Sequence, residues 1–166
     1  MQEKERIFLD NYDAHADALF RFAYFQVSDK EIATDLVQDT FLETWNYLAK
    51  NEEGIENIKA FLYHVLRNKV IDHYRKHKTR SLDEITENGK DFPDDKTSAV
   101  IEIQAEVSNT LRLLEKMDDK YKEPVLLRYI EGLGVKEIAG IIGETESNTS
   151  VFIHRGLEQL RNLAHI

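Results

Sequence analysis

Six apolar residues, Ile32, Leu36, Val37, Phe41, Trp45 and Leu48, recur at steps of three and four. This spacing restricts the fold more than any other feature. Wound at 3.6 residues per turn they form one apolar stripe, and Asp35, Asp39, Glu43 and Asn46 fall on the opposite side. Phe8, Tyr12, Leu19 and Ala23 suit an earlier helix, and Leu62, Leu66, Val70 and Tyr74 suit a third from about Ile58 to Lys78. Polar Asn51 to Asn57, which contains Gly54, is the expected loop between the second and third helices. Three amphipathic helices with short connections predict a small bundle. No alternating strand pattern of useful length occurs, and only two prolines and seven glycines are spread over 166 residues. The fold class expected is all-α.

Charge divides the chain into two small helical domains and a linker. The overall formal charge is −9, which by itself argues against a general nucleic-acid binder. Residues 81–109 alone contribute −6, with only Lys90 and Lys96 against eight acids. Residues 1–80 carry −2 and residues 110–166 carry −1. Within the first part, Arg67, Lys69, Arg75, Lys76, Lys78 and Arg80 face one acid, Asp72. The domains expected are therefore 1–80 and 108–166, joined by a flexible acidic linker over 81–107.

The linker gives way to a helix beginning with Val107, Leu111 and Leu114. A helix from Tyr121 to Glu131 follows, with Pro124 in its first turn and Gly132 ending it. Val135 to Ile142 forms a short helix closed by Gly143, and Thr145 caps a final helix from Glu146 to about Ala164. A short helix, a tight turn and a longer helix make a helix–turn–helix, whose second helix can enter a DNA major groove. Gly143 supplies a backbone conformation that side chains resist, and small Ala139 lets the helices cross closely. The exposed face of the last helix would be Ser147, Asn148, Ser150, Val151, His154 and Arg155. Such side chains read base edges or grip phosphates. The turn alone is equally compatible with an ordinary helical hairpin.

Two sets of residues, taken together, are more specific. Asp35-Leu36-Val37-Gln38-Asp39-Thr40-Phe41, Trp45, Ala60-Phe61-Leu62, Asn68, Asp72 and Arg75-Lys76 form the first. Leu126-Leu127-Arg128-Tyr129, Glu131-Gly132, Glu137-Ile138-Ala139, Gly143, His154-Arg155-Gly156-Leu157 and Leu160-Arg161 form the second. In order and spacing the chain resembles bacterial RNA polymerase sigma factors of the extracytoplasmic-function group, over nearly its whole length.

The resemblance implies a non-enzymatic initiation factor that binds core RNA polymerase, directs it to promoters and helps to melt the DNA. It implies that Asp35, Gln38 and Asp39 dock on the polymerase clamp helices, where an acidic stripe suits a basic coiled coil. It implies that Arg67, Asn68, Lys69, Asp72, Arg75, Lys76, Lys78 and Arg80 meet the minus-ten element, the cations neutralising phosphates. The loop Asn51 to Asn57 would capture an unstacked base, although it carries Glu52, Glu53 and Glu56. The second domain would meet the polymerase flap and the minus-thirty-five element through Ser147, Asn148, Ser150, Val151, His154 and Arg155. The linker would thread toward the RNA exit path. An anti-sigma factor is a common partner in this family.

The chain departs from that pattern in one place. Members often read Gly-Thr-Val-Lys-Ser-Arg where this sequence has Ser147-Asn148-Thr149-Ser150-Val151-Phe152. The usual cations are gone, which leaves Arg155 as the main expected phosphate ligand. Gly134 also replaces the Ser or Thr that would complete a capping box with Glu137.

Alternatives are a free-standing helix–turn–helix regulator and a metal-dependent hydrolase built on Asp72, His73 and His77. The net charge disfavours the first. Arg75 and Lys76 would crowd any cation in the second, so no metal and no cofactor are expected. The absence of cysteine removes disulfides, thiolate metal sites and thiol nucleophiles. No run of about 20 apolar residues exists to enter a membrane, and charged Met1 to Asp10 offers no signal segment. A cytoplasmic location is expected.

Overall fold

The computed structural model describes residues 2–80 and 98–164, with side chains throughout except at 78–80, 98–105 and 107. Among the described residues there is no strand. Helices α1 (Gln2–Val27), α2 (Lys30–Lys50) and α3 (Ile58–Arg80) pack on one another as the expected three-helix block. Asp29 caps α2 by accepting from the Ile32 N–H at 3.0 Å. The expected apolar stripe is the buried one, with Val37, Phe41 and Leu48 at its centre. Thr40 and Thr44 are buried beside it because each hydroxyl donates to the carbonyl four residues back. The α1–α2 connection is only Ser28 and Asp29, and Ser28 takes a left-handed φ of 57° to make the reversal.

The second block holds α4 (Ser98–Lys116), α5 (Asp119–Val125), a π turn over Leu126–Ile130, α6 (Val135–Ile142) and α7 (Glu146–Ala164). Helix α4 starts at Ser98, well before Val107, where the apolar spacing first marks a helix. The acidic stretch from 81 to 97 lies outside the described residues. Helix α5 also starts earlier than its spacing implies, because Asp118 is the extended residue before it. Pro124 therefore lies inside the helix and not in its first turn. The coil widens directly after it, and the Glu131 N–H bonds the Leu126 carbonyl five residues back. Gly132, at φ 71°, ends this turn, and Leu133 N–H closes back on the Leu127 carbonyl.

Helices α6 and α7 fall within the expected bounds. Gly143, at φ 73°, donates to the Ala139 carbonyl, and the Thr145 hydroxyl accepts from the Asn148 N–H. Gly134 has no side chain with which to cap, but Glu137 still reaches back to its N–H at 3.2 Å. Helix α7 lies close on α5 at Gly156. A methyl there would overlap Val125 Cγ2 and press on the Tyr121 carbonyl oxygen at 3.0 Å.

The two blocks touch. Helix α6 lies on α3, and the π turn lies on α1. One continuous buried cluster runs from Leu19 and Phe22 through Leu62 and Leu66 to Leu127 and Ile138.

Candidate nucleic-acid interface

Helix α3 divides its side chains between two faces. Leu62, Leu66 and Val70 are buried in the first block. Asn68, Asp72, Arg75 and Lys76 are exposed and fall within two turns of one another. Between these faces runs a stripe turned toward the second block, and it carries Lys59, Tyr63 and Arg67.

That stripe is occupied by acids of the second block. The Arg67 Nε donates to Glu123 of α5. Burial pushes the Glu123 carboxyl up from its ordinary range, and Arg67 pulls it partly back. Lys59 Nζ stands 4.0 Å from Glu137 of α6. The Tyr63 hydroxyl donates to Glu131 Oε2 at 3.2 Å. His64 places Nδ1 3.4 Å from the Ile141 carbonyl, and the Asn68 amide lies 3.5 Å from its Nε2. Arg67 is thus turned into the seam between blocks and away from the exposed face on which the sequence pattern groups it. Lys69 is likewise engaged, with Glu43 of α2 at 2.8 Å. The side chains of Lys78 and Arg80 lie outside the described residues.

These pairings were not legible in the spacing. Helical periodicity assigns a residue to a face but does not say which remote acid that face meets.

The His73 and His77 rings lie side by side with centres 4.5 Å apart, tilted by 34°. Burial, and then the nearness of His77, lower the His73 pKa. Among the described residues, no three His, Asp or Glu side chains come together as a metal would need.

On α2, Asp35, Gln38 and Asp39 are all exposed and form one stripe. On α7, Ser147, Asn148, Ser150, Val151, His154 and Arg155 are exposed as expected, opposite buried Thr149, Ile153 and Gly156. Two of these polar groups already have neighbours. The Asn148 amide donates to Glu144 at 3.2 Å, and His154 stands 3.3 Å from Glu158. This exposed face of α7 is therefore less cationic than Arg155 alone would make it.

The arrangement matches known proteins in both halves. The sigma-70 region 2 family matches residues 12–80, and the sigma-70 region 4 family matches residues 109–160. The chain belongs to the extracytoplasmic-function group of sigma-70 factors. The sigma factor SigM of Bacillus subtilis is 28% identical over 153 residues, which are 92% of this chain and 91% of that protein. BldN of Streptomyces coelicolor is 27% identical over 154 residues, and the match spans 92% of this chain but 58% of BldN. A solved structure of the sigma factor RpoE, in complex with the anti-sigma factor NepR from Bartonella quintana, superposes with a TM-score of 0.77. It covers 97% of this chain and 98% of that one at 24% identity, and so attests the shared fold.

This sigma factor is a promoter-specific transcription initiation factor, with core RNA polymerase and promoter DNA as its partners. The family acts by binding and not by catalysis. No helix among the described residues is long and apolar enough to cross a membrane.

Proposed function

We propose that the first block docks on the polymerase clamp helices through Asp35, Gln38 and Asp39, and offers α3 to the minus-ten element. The observation carrying this reading is that both motif faces stand exposed on a single three-helix block. Asn68, Asp72, Arg75 and Lys76 form the DNA face proper, with Lys78 and Arg80 extending it along the backbone of α3. Arg67 and Lys69 join it only when Glu123 and Glu43 release them. Ser147, Asn148, Ser150, Val151, His154 and Arg155 of α7 meet the minus-thirty-five element, mainly through polar contacts. The cytoplasm is where these partners are met.

The contact between blocks belongs to a closed form of the factor. Elements about 25 base pairs apart lie about 85 Å apart along B-DNA. Blocks joined by Arg67–Glu123 and Arg21–Glu131 cannot span that distance. They separate on loading, with the segment 81–97 between them. An anti-sigma factor, such as the one that accompanies the Bartonella quintana relative, would act on the same equilibrium by binding the closed or the unloaded form.

Co-elution with core RNA polymerase on a sizing column at moderate salt tests the docking assignment. The native chain co-elutes, and a chain with Asp35, Gln38 and Asp39 all changed to Ala elutes alone with its helicity intact. Co-elution of the triple variant would overturn the assignment. A band shift without polymerase tests the alternative of a free-standing regulator, which would give a specific complex at physiological salt.

A further inference from the structure

His73 and His77 stand four residues apart on α3, so they are neighbours on successive turns of one side of the helix. His73 is half-buried and His77 is exposed. This side faces the corner between α1 and α2, where the Asp29 carboxylate acts electrostatically on His73. It is not the side proposed to meet DNA. At 3.6 residues per turn, Arg75 lies about 160° around α3 from both histidines, and Lys76 lies about a quarter turn away. Neither cation shares the face of the two rings, so the crowding that their closeness in sequence implies does not follow from the helix.

The rings are placed as a chelate needs them. An ion about 2.1 Å from one nitrogen of each ring sets the ring centres roughly 5 Å apart. The observed separation is 4.5 Å, with a tilt of 34°. Small rotations of the two side chains are enough to close the pair on one ion. Two histidines four positions apart on a helix face are also the spacing by which helical zinc sites hold their metal.

We propose that His73 and His77 form an exchangeable site for a late first-row divalent metal ion, Zn²⁺, Ni²⁺ or Cu²⁺. A permanent centre takes three or more protein ligands, and no such group occurs among the described residues. Here two imidazoles hold the ion and water fills its other positions. Imidazole nitrogen selects these ions over Mg²⁺ and Ca²⁺, which take oxygen ligands. A bound ion ties two successive turns of α3 together and so favours the helical form of this stretch. The site is independent of the polymerase and DNA assignments given above, since it uses none of their residues.

Calorimetric titration of the full chain, untagged and free of chelator, with Ni²⁺ and with Mg²⁺ tests this. One Ni²⁺ should bind per chain, far more tightly than Mg²⁺. His73→Asn and His77→Asn should each weaken Ni²⁺ by about tenfold or more, since losing a ligand costs no less than losing the partner that orients one. Circular dichroism checks that both variants keep their helicity. The exposed position of His77 keeps the test valid should His73→Asn lower stability. Ni²⁺ should also raise the thermal midpoint of the native chain and leave that of each variant unchanged.

Cu²⁺ added below one equivalent locates the site directly, because a paramagnetic ion broadens the nuclear magnetic resonance signals nearest to it. Of the six histidines, His73 and His77 should lose their ring signals first. Native Ni²⁺ affinity in either variant would overturn the proposal. So would broadening that begins at another histidine, or equal affinity for Ni²⁺ and Mg²⁺.

Discussion

Arg21 and Glu131, 110 positions apart, form a two-point ion pair across the seam between blocks, Nε to Oε1 at 3.1 Å and Nη2 to Oε2 at 2.8 Å. The Glu131 side chain is 1% exposed and also accepts from the Tyr63 hydroxyl. Glu131 leads directly into Gly132, whose positive φ turns the chain out of the π turn. The turn geometry therefore aims this carboxylate at the first block.

Glu131 is accordingly expected to control the closed form. Removing one partner of a buried pair costs about 3–5 kcal/mol, and the half-exposed Arg21 places this pair toward or below the low end. Glu131→Ala should enlarge the radius of gyration measured by small-angle scattering, with helicity unchanged. It should also raise the affinity for core RNA polymerase. An unchanged radius would mean that the apolar contacts close the blocks without the ion pair.

Alkaline pH should loosen the same region. Burial first, and then Glu131, push the Tyr63 hydroxyl above its ordinary range. Burial, with Asp119 and Glu115 adding to it, pushes Tyr74 up to about 12. The unfolded chain releases these protons near pH 10, while the folded chain retains them. Above that pH the unfolded state binds fewer protons, so stability falls as pH rises. Burial, and then Asp29, also raise Tyr24, so an ultraviolet titration should show three of the seven tyrosines ionising after the others, or only on unfolding. Uniform ionisation of all seven would contradict this.

Gly156 sets the distance between α5 and α7. Gly156→Ala forces the methyl into Val125 and the Tyr121 carbonyl, and overpacking of this kind costs about 1–3 kcal/mol. Gly140, with nothing near its absent Cβ, is the control. Thermal unfolding should show a lower midpoint for Gly156→Ala and no loss for Gly140→Ala.

Ser28 is the one described residue other than glycine with positive φ. A left-handed conformation costs an ordinary residue about 1–2 kcal/mol. Ser28→Gly should recover part of that and raise the denaturant midpoint. An equal or lower midpoint would mean that the added freedom of the unfolded chain cancels the relief.

Arg75 and Lys76 are expected to contribute to promoter opening through phosphate contacts. Changing both to Ala should reduce open-complex formation by the holoenzyme. It should also lower the salt slope of DNA affinity by about 2, one unit per lost phosphate contact. An unchanged slope would remove them from the DNA face.

The sequence by itself determined the local architecture. Apolar spacing over α2, α6 and α7, the Thr145 cap and the Gly143 turn are set by residues within four or five positions of one another, and such patterns are readable in one dimension. The paired motifs, resting on residues such as Gln38, Asn68 and Glu137, carried the family for the same reason. Where the local cues were weaker, reading them went less far. Helix α4 begins before its apolar stripe, and Pro124 sits deeper in α5 than a helix-start proline would. Only the tertiary structure decided the partners. Arg67 goes to Glu123, Lys69 to Glu43 and Arg21 to Glu131. Each pairing depends on how two helix surfaces meet, with separations of 56 and 110 positions across the seam. Coulomb attraction acts through space and leaves no periodic mark in the sequence, so the cations that read as one set are divided, in the folded chain, between an exposed face of α3, a pair with α2 and the seam between blocks.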